Sequence, residues 1–401
     1  MQTPDYFVRG IAVPEIDLVL CALRAFVLDE PNILQSALAE PVDWPAFERI
    51  AECHSVLPLL AYLLTQQPSG LLPPETRKRL RDRLALASHR NLILIAEWCR
   101  LLRAFDEAKI PVISLKGPAL ALGVYPNFSL REFKDIDLLV RPCDLAKAHD
   151  LLFCQGYGSG SPRSHQKRSL SLPSRNAQLE LAHKDRGISV DIHWEAWHVM
   201  FPFQLPVDLL FESARHRRCE TMDFLTLSPE NLLIYLCAHA TKHCWTSLRW
   251  LCDVACHLRN VQNMDWELCF STAESANSVL VLKHSLVLVH RLFGVRLSPP
   301  VAGWVRSAKA EALAAIASTF LLRGDLYPDR RLRAVQDLRY HLGFGETWGT
   351  RTRLLLERLF IPDEPNALQD HLPASLHVLS YAAKSMRFVL SRVKDIARAP
   401  G

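Results

Sequence analysis

Residues 133–140 read Phe-Lys-Asp-Ile-Asp-Leu-Leu-Val, an apolar run that opens with two carboxylates at alternate positions. Side chains at alternate positions of a β-strand point to the same face, so a strand here places Asp135 and Asp137 side by side. Two ionised carboxylates about 4 Å apart repel by roughly 4 kcal/mol at an effective dielectric constant of about 20, and a proton or a bound cation usually relieves this repulsion. Such oxygen ligands suit a hard divalent ion, so the stretch predicts both a strand and a metal site.

The segments around this stretch predict a small sheet whose strands alternate with helices. Residues 110–115 form an apolar run that ends at Lys116 and Gly117, which is typical of a buried strand turning into a helix. Helices are predicted at 118–124 and at 143–155, where Gly156 ends the second one. Residues 177–182 and 188–194 predict a hairpin whose second arm, Val-Asp-Ile-His-Trp, carries Asp191. No further strand is predicted.

Helical patterns dominate on both sides of this sheet, at 15–64, at 73–109 and almost everywhere from residue 228 onward. The basic amphipathic segment 375–398 predicts a helix that docks on the helical domain, with weak contact to a membrane surface as the alternative. We therefore predict an α+β fold that is predominantly helical overall. Its small mixed-sheet core lies at 99–200, between an N-terminal helical region at 1–98 and a C-terminal helical domain at 201–401.

Composition limits the class of protein. A chain of 401 residues is too long for a single compact core. Its formal charge of +5 makes no case for nucleic acid but is compatible with a phosphate-rich substrate. The eleven cysteines are odd in number and irregularly spaced, and no signal peptide precedes them, so reduced thiols and a cytoplasmic location are expected. The most apolar long stretch, 278–295, carries charged residues, so no transmembrane segment is predicted.

The arrangement of a glycine turn, an Asp-x-Asp strand and a later lone Asp resembles the nucleotidyltransferase superfold of the DNA polymerase beta type. More closely, four segments look like the uncharacterised nucleotidyltransferase family of bacteria. They are Leu-Lys-Gly-Pro-Ala-Leu at 115–120, Asp-Ile-Asp-Leu-Leu-Val at 135–140, Val-Asp-Ile-His-Trp at 190–194 and residues 239–253. The resemblance covers residues 100–260 well and implies that 99–200 is a nucleotidyltransferase catalytic core.

This resemblance implies transfer of a nucleoside monophosphate from an NTP to a hydroxyl or phosphate acceptor, with release of pyrophosphate by a two-metal mechanism. It implies that Asp135 and Asp137 hold both Mg²⁺ (or Mn²⁺) ions and that Asp191 completes the ion that activates the acceptor. The residues expected to contact the nucleotide are Lys116, Gly117, Arg131, Lys242, His243 and Arg249. A small-molecule or peptide acceptor is favoured over RNA because relatives often lie among natural-product or surface-polysaccharide genes.

The sequence departs from the superfold at the glycine turn. Pro118 removes one N–H donor from the phosphate cradle, and sixteen residues separate the turn from Asp135, more than is common in the superfold. Lys116 compensates for the lost donor with a cationic phosphate contact, or is a solvated residue at the end of a strand. Arg131 contacts the nucleotide or forms a surface salt bridge. The loop 158–175 is a basic lid over a phosphate site or a solvated loop.

Each remaining candidate also has a plainer interpretation. Asp191 is a metal ligand, or a strand residue that is salt-bridged or solvated. His239 and His243, one helical turn apart, line the wall facing the sheet, bind zinc or pack in the core. His193 and Trp194 are expected to be structural. The alternative functions are a catalytically inactive nucleotide-binding scaffold, a nucleotidyltransferase toxin that modifies tRNA, and a zinc hydrolase.

Overall fold

The computed structural model describes residues 14–158, 178–196, 205–219, 222–323 and 330–345, together with 349, 351 and 352. The chain divides into two compact units, one comprising 1–199 and 203–340 and the other comprising 200–202 and 341–401. Residues 159–175 of the predicted loop and the predicted helix at 375–398 lie outside the described residues. The division into regions 1–98, 99–200 and 201–401 stays a prediction.

Helices make up most of the described chain, as the sequence predicts. The α-helices are α1 (Pro14–Leu28), α2 (Pro31–Ala37), α3 (Trp44–Cys53), α4 (Leu57–Thr65), α5 (Pro74–Glu107), α6 (Pro118–Gly123), α7 (Leu145–Cys154), α8 (Val207–Glu212), α9 (Pro229–Lys242), α10 (Leu248–Asn260), α11 (Trp266–Ser275), α12 (Val279–Phe293), α13 (Pro299–Trp304), α14 (Ala308–Arg323) and α15 (Arg330–Gly343). Short 3₁₀ helices occur at Ser69–Leu71, Phe128–Leu130 and Pro142–Asp144.

Among the described residues, seven strands form one mixed sheet, which confirms the predicted α+β fold. The strands are β1 (Ile113–Ser114), β2 (Asp135–Leu139), β3 (Tyr157–Gly158), β4 (Gln178–His183), β5 (Ser189–His193), β6 (Arg215–Cys219) and β7 (Met222–Thr226). Their order across the sheet is β3-β4-β5-β2-β1-β7-β6. β2 runs parallel to β5 and antiparallel to β1, while β1 runs parallel to β7.

The two faces of β2 differ in character because its side chains alternate. Ile136 and Leu138 are fully buried on one face and belong to a cluster that includes Trp98 and Phe105 of the long helix α5. Phe224 of β7 joins the same cluster, with its ring 4.8 Å from that of Trp98 in an edge-to-face contact. Burial of this apolar face holds the sheet on α5, which leaves the other face of β2 for the carboxylates.

The hairpin of β6 and β7 is not predicted by the sequence. β7 extends the sheet because Leu225 pairs with Ile113 in the parallel ladder to β1. β6 is the edge strand, and Arg215, His216, Arg217 and Arg218 along it are all exposed. A strand of basic residues has no hydrophobic period, which explains why pattern alone does not reveal it.

Two helices near the sheet begin at serine caps. Ser228 accepts a hydrogen bond from the backbone N–H of Asn231 at the start of α9, where proline occupies the first turn. Ser247 accepts from the backbone N–H of Arg249 at the start of α10. These caps satisfy N–H groups that a helix leaves free at its first turn, and so define where both helices begin.

A buried ion pair ties the loop before β2 to α10. Arg131 is 4% exposed and donates two hydrogen bonds to Asp253, from Nε to Oδ1 at 2.7 Å and from Nη2 to Oδ2 at 2.9 Å. Tyr125 also donates to Asp253 Oδ1 at 2.7 Å, and Asn91 of α5 donates to the backbone carbonyl of Arg131 at 2.9 Å. This loop leads directly into the Asp-x-Asp strand, so the tie fixes where that strand begins.

None of the helices in the described residues is both long enough and apolar enough to cross a membrane.

Removal of one partner of a buried ion pair leaves a charge without compensation. We expect Asp253→Asn to lower the free energy of unfolding by about 3 kcal/mol or more, measured by denaturant titration of the full chain. The matched control is Asp223→Asn, because the Asp223–Arg218 pair is exposed and should contribute less than about 1 kcal/mol. Equal effects of the two substitutions would contradict a structural role for the buried pair.

Candidate active site

The ladder between β2 and β5 brings two acidic residues opposite each other. Asp137 pairs with Asp191, and because the strands are parallel and in register both side chains lie on the face away from α5. Asp135 lies two residues earlier on the same strand and therefore on the same face. On the other side of β5, Glu180 of β4 pairs with Asp191 and is exposed. Four carboxylates thus share one face of three adjacent strands.

Asp137 is the most buried member of this group, at 2% exposure. Lys116 donates from Nζ to Asp137 Oδ1 at 2.8 Å, and His193 Nε2 lies 3.1 Å from the same oxygen. The other oxygen, Oδ2, is buried and has no hydrogen-bond partner. Burial raises the pKa of Asp137, but Lys116 and His193 outweigh it and hold the pKa below its usual value. Asp137 therefore carries a negative charge in this site.

The neighbouring acids respond to that charge. Burial, together with the charges of Asp137 and Asp135, raises the pKa of Asp191 to about 7. Burial and the charge of Asp137 also raise the pKa of Asp135. Burial lowers the pKa of Lys116, but the Asp137 carboxylate outweighs this and leaves the pKa above its usual value. The site thus contains more carboxylates than ammonium groups. Binding of a proton or a cation is therefore favourable, because it reduces the repulsion between the carboxylates.

The geometry suits a metal ion. One ligand atom from each of Asp137, Asp191 and His193 lies within 4.8 Å of the other two, and this is the one such group of three among the described residues. The unpartnered Oδ2 of Asp137 is an anionic oxygen in a buried site, which fits the preference of hard divalent cations for carboxylate ligands. The group does not include Asp135. It does include His193, which the sequence assigned to a structural role.

The turn before α6 requires glycine. Gly117 has φ of 59° and ψ of −124°, and a Cβ atom there would lie 2.8 Å from the backbone oxygen of Asp135. Only glycine adopts this conformation without strain and allows the turn to approach the strand so closely. Gly117 therefore positions the backbone of the acidic strand, and its predicted phosphate contact stays a prediction.

Side chains of α9 interact electrostatically with the charged residues of the site. The pKa of Tyr235 is raised by burial, and the charges of Lys116 and the three acids also act on it. Burial, followed by the charge of Lys116, lowers the pKa of His239 well below its usual value. The charge of Lys242 contributes to a lowered pKa of His193, for which burial is the main cause. These couplings put α9 near the acidic face, and its predicted role as a nucleotide-binding wall stays a prediction.

The rings of His239 and His243 lie 4.8 Å apart, and His243 stacks on Trp250 of α10 with ring centroids 5.2 Å apart. His239 is half-buried, whereas His243 is exposed. A zinc site here would need a third ligand, and the metal-binding group found among the described residues contains neither histidine. None of the eleven cysteines, all of which lie in the described residues, forms a disulfide.

The two predicted arginines have different surroundings. Arg131 forms a salt bridge, with Asp253, as in its plainer interpretation, but this pair is buried and not at the surface. Its nucleotide contact stays a prediction. Arg249 donates from Nη1 to the backbone carbonyl of Glu132 at 2.9 Å. Its Nε is buried without a hydrogen-bond partner, and burial lowers the pKa of the group. Arg249 thus retains a donor for a further ligand.

Sequence reasoning missed His193 and Glu180 as members of the acidic face. The signal for His193 was present, because it lies two residues after Asp191 and so shares its face in any strand. Glu180 carries no such signal, since its place depends on the register between β4 and β5.

Comparison with known proteins gives a family match that covers more than half of the chain. Residues 40–294 match the model of a family described as uncharacterised nucleotidyltransferase. No curated protein and no solved structure matches the chain.

The close approach of Gly117 to Asp135 is testable with a pair of glycine substitutions. We expect Gly117→Ala to lower the free energy of unfolding by about 1–3 kcal/mol more than Gly187→Ala does. Gly187 is the matched control because its φ of 62° is also positive but a Cβ atom there would meet nothing within 4 Å. Denaturant titration of both variants measures the difference, and equal losses would refute the role of the contact with the Asp135 carbonyl.

The raised pKa of Asp191 predicts a pH dependence of stability. The pKa of its carboxyl rises from 3.8 to about 7 in the folded chain, so the folded state binds the proton more tightly than the unfolded state. The resulting stabilisation is fully present below about pH 4 and is lost progressively as the pH rises from about 4 to about 7. Without metal, the free energy of unfolding should therefore fall from pH 6 to pH 8 more in the wild type than in Asp191→Asn. Thermal and denaturant unfolding in a chelating buffer test this, and parallel pH profiles would contradict it.

Proposed function

The chain belongs to the uncharacterised nucleotidyltransferase family, and we propose that it is a metal-dependent enzyme that transfers a nucleoside monophosphate from an NTP to a hydroxyl or phosphate acceptor. The metal dependence is inferred from Asp137 Oδ2, which is buried and has no hydrogen-bond partner. The register of β2 and β5 places Asp191 directly opposite Asp137. A buried anionic oxygen without a donor is unfavourable unless a cation binds to it.

Asp135, Asp137 and Asp191 would hold the two ions, Mg²⁺ or Mn²⁺. When bound, such ions neutralise the triphosphate and lower the pKa of the attacking hydroxyl. The reaction forms a bond between the acceptor oxygen and the α-phosphorus and breaks the bond to the bridging oxygen, so that pyrophosphate leaves. The chain therefore has to supply mainly alignment and compensation of charge.

The residues around the acids have roles that follow from their positions. Lys116 has an ammonium group at the carboxylates, and of its three N–H donors one holds Asp137 Oδ1 while another can donate to a phosphate oxygen. Gly117 keeps the turn close to the acidic strand, so that the backbone lies beside the triphosphate. Asp191, whose pKa is raised to about 7 by burial and by the neighbouring carboxylates, would release its proton when a cation binds and then serve as a ligand.

The helical wall would bind the rest of the nucleotide. Arg249 has a buried Nε with no hydrogen-bond partner, which suits an anionic or carbonyl group of the ligand. The stacked rings of His243 and Trp250 offer an aromatic surface for a base. Lys242 and Arg131 complete the proposed contacts. A small molecule or peptide is the proposed class of acceptor, ahead of RNA.

Ligand-dependent stability tests this function. We expect wild-type protein to be stabilised by an NTP only together with Mg²⁺ or Mn²⁺, by roughly 2.7 kcal/mol at a ligand concentration one hundred times the dissociation constant. Asp137→Asn and Asp191→Asn should lose this response, whereas Asp150→Asn should keep it, because Asp150 is 81% exposed and lies on α7. Thermal shifts with each of the four NTPs measure the effect.

The preferred NTP then serves in an acceptor screen that follows pyrophosphate release. Small molecules and peptides should support release, and Asp137→Asn should abolish it. A wild-type protein that binds NTP and metal but releases no pyrophosphate with any acceptor would favour the scaffold alternative. Stabilisation by NTP that persists without metal, or in Asp137→Asn, would refute the proposed site.

A further inference from the structure

The two carboxylate oxygens of Asp137 differ in their hydrogen-bond partners, and this difference indicates a role for His193. Oδ1 contacts both Lys116 and His193, whereas Oδ2 has no partner. We propose that His193 is a positioning residue that, with Lys116, holds Oδ1 of Asp137 and so presents Oδ2 to the cation, without binding the cation itself. The inference rests on the proposed function, because it concerns the same metal site.

The proton of the hydrogen bond lies on the histidine. An ionised carboxylate only accepts hydrogen bonds, and Asp137 is ionised beside the buried ammonium of Lys116 at 2.8 Å. The nitrogen that lies 3.1 Å from its Oδ1 must therefore be an N–H donor, whether the ring is neutral or protonated. A ring nitrogen that carries a proton has no lone pair for a metal ion. In this arrangement Nε2 of His193 is engaged by Oδ1 of Asp137, so it holds that oxygen while Oδ2 is left for the cation.

The backbone fixes the ring where this hydrogen bond needs it. His193 pairs with Leu139 in the same parallel ladder that sets Asp137 against Asp191, and its carbonyl accepts from the backbone N–H of Val140 at 2.9 Å. The side chain is 9% exposed, so it has little freedom to turn away. The register between β2 and β5 therefore positions both the Asp137 carboxylate and the His193 ring that contacts it.

The role has a measurable consequence for metal affinity. A carboxylate with one oxygen held by two donors has its second oxygen oriented before the cation arrives. Loss of such an outer contact typically weakens metal binding by 10–100-fold. A nitrogen ligand, in contrast, would favour Mn²⁺ over Mg²⁺, because imidazole suits transition metals and Mg²⁺ prefers oxygen. The preference between the two ions therefore separates a positioning residue from a ligand.

Mn²⁺ binding to the full chain tests the proposal, with free Mn²⁺ followed by electron paramagnetic resonance and Mg²⁺ measured by competition. His193→Gln keeps an N–H donor at the position of Nε2, and His193→Leu has a similar volume but no donor. We expect His193→Gln to bind Mn²⁺ within about threefold of wild type and His193→Leu to bind it roughly 10–100-fold more weakly. The ratio of Mn²⁺ to Mg²⁺ affinity should be the same in all three proteins.

Three results would overturn the inference. If His193→Gln loses as much affinity as His193→Leu and its preference for Mn²⁺ falls, then His193 is a ligand. If His193→Leu binds Mn²⁺ as tightly as wild type while its thermal unfolding shows a folded protein, then His193 positions nothing. If wild-type protein binds no Mn²⁺ at millimolar concentration, the metal site fails, and the proposed function fails with it. Asp137→Asn provides the control for loss of binding at this site.

Discussion

Like charges held opposite each other are the constraint on which this structure depends. The register of β2 and β5 sets Asp137 directly against Asp191, with Asp135 on the same face, and such cross-strand pairs of like charge are destabilising. The chain tolerates the arrangement because it adds positive charge and hydrogen-bond donors at one oxygen of Asp137. What remains is a site in which Asp135 and Asp191 retain protons more readily than usual, and whose stability should rise when a cation binds.

The rest of the fold serves to keep that unfavourable face in place. The opposite face of the sheet is apolar and buried on α5, which supplies the hydrophobic stabilisation that the acidic face lacks. The loop before β2 is held twice, by the close approach of Gly117 to the Asp135 carbonyl and by the pairing of Arg131 with Asp253. Both contacts act on the backbone at the start of the acidic strand. The position of the carboxylates is thus decided by Gly117 and the Arg131–Asp253 pair, none of which is a proposed metal ligand.

Sequence reasoning reached the fold class and the residues with a local signal, and it failed where the information is long-range. Alternation alone predicts that Asp135 and Asp137 share a face, and the structure has them on one strand. The pairing of Asp137 with Asp191 depends on which strands become neighbours, and the contact of Arg131 with Asp253 joins positions 122 residues apart, so no local pattern encodes either. His193 was missed for a different reason, because its alternation with Asp191 was visible but a histidine in an apolar strand is usually structural. The basic strand β6 was missed because strand prediction relies on apolar alternation.

That same strand has a consequence for the solution behaviour of the sheet. β6 ends the sheet on one side, and an edge strand presents unpaired N–H and C=O groups that can template association with another chain. Exposed arginine and histidine side chains along β6 repel a second copy of the same edge and keep the backbone solvated. The basic residues that prevent prediction of β6 from hydrophobic alternation thus also disfavour edge-to-edge pairing of two sheets through this strand.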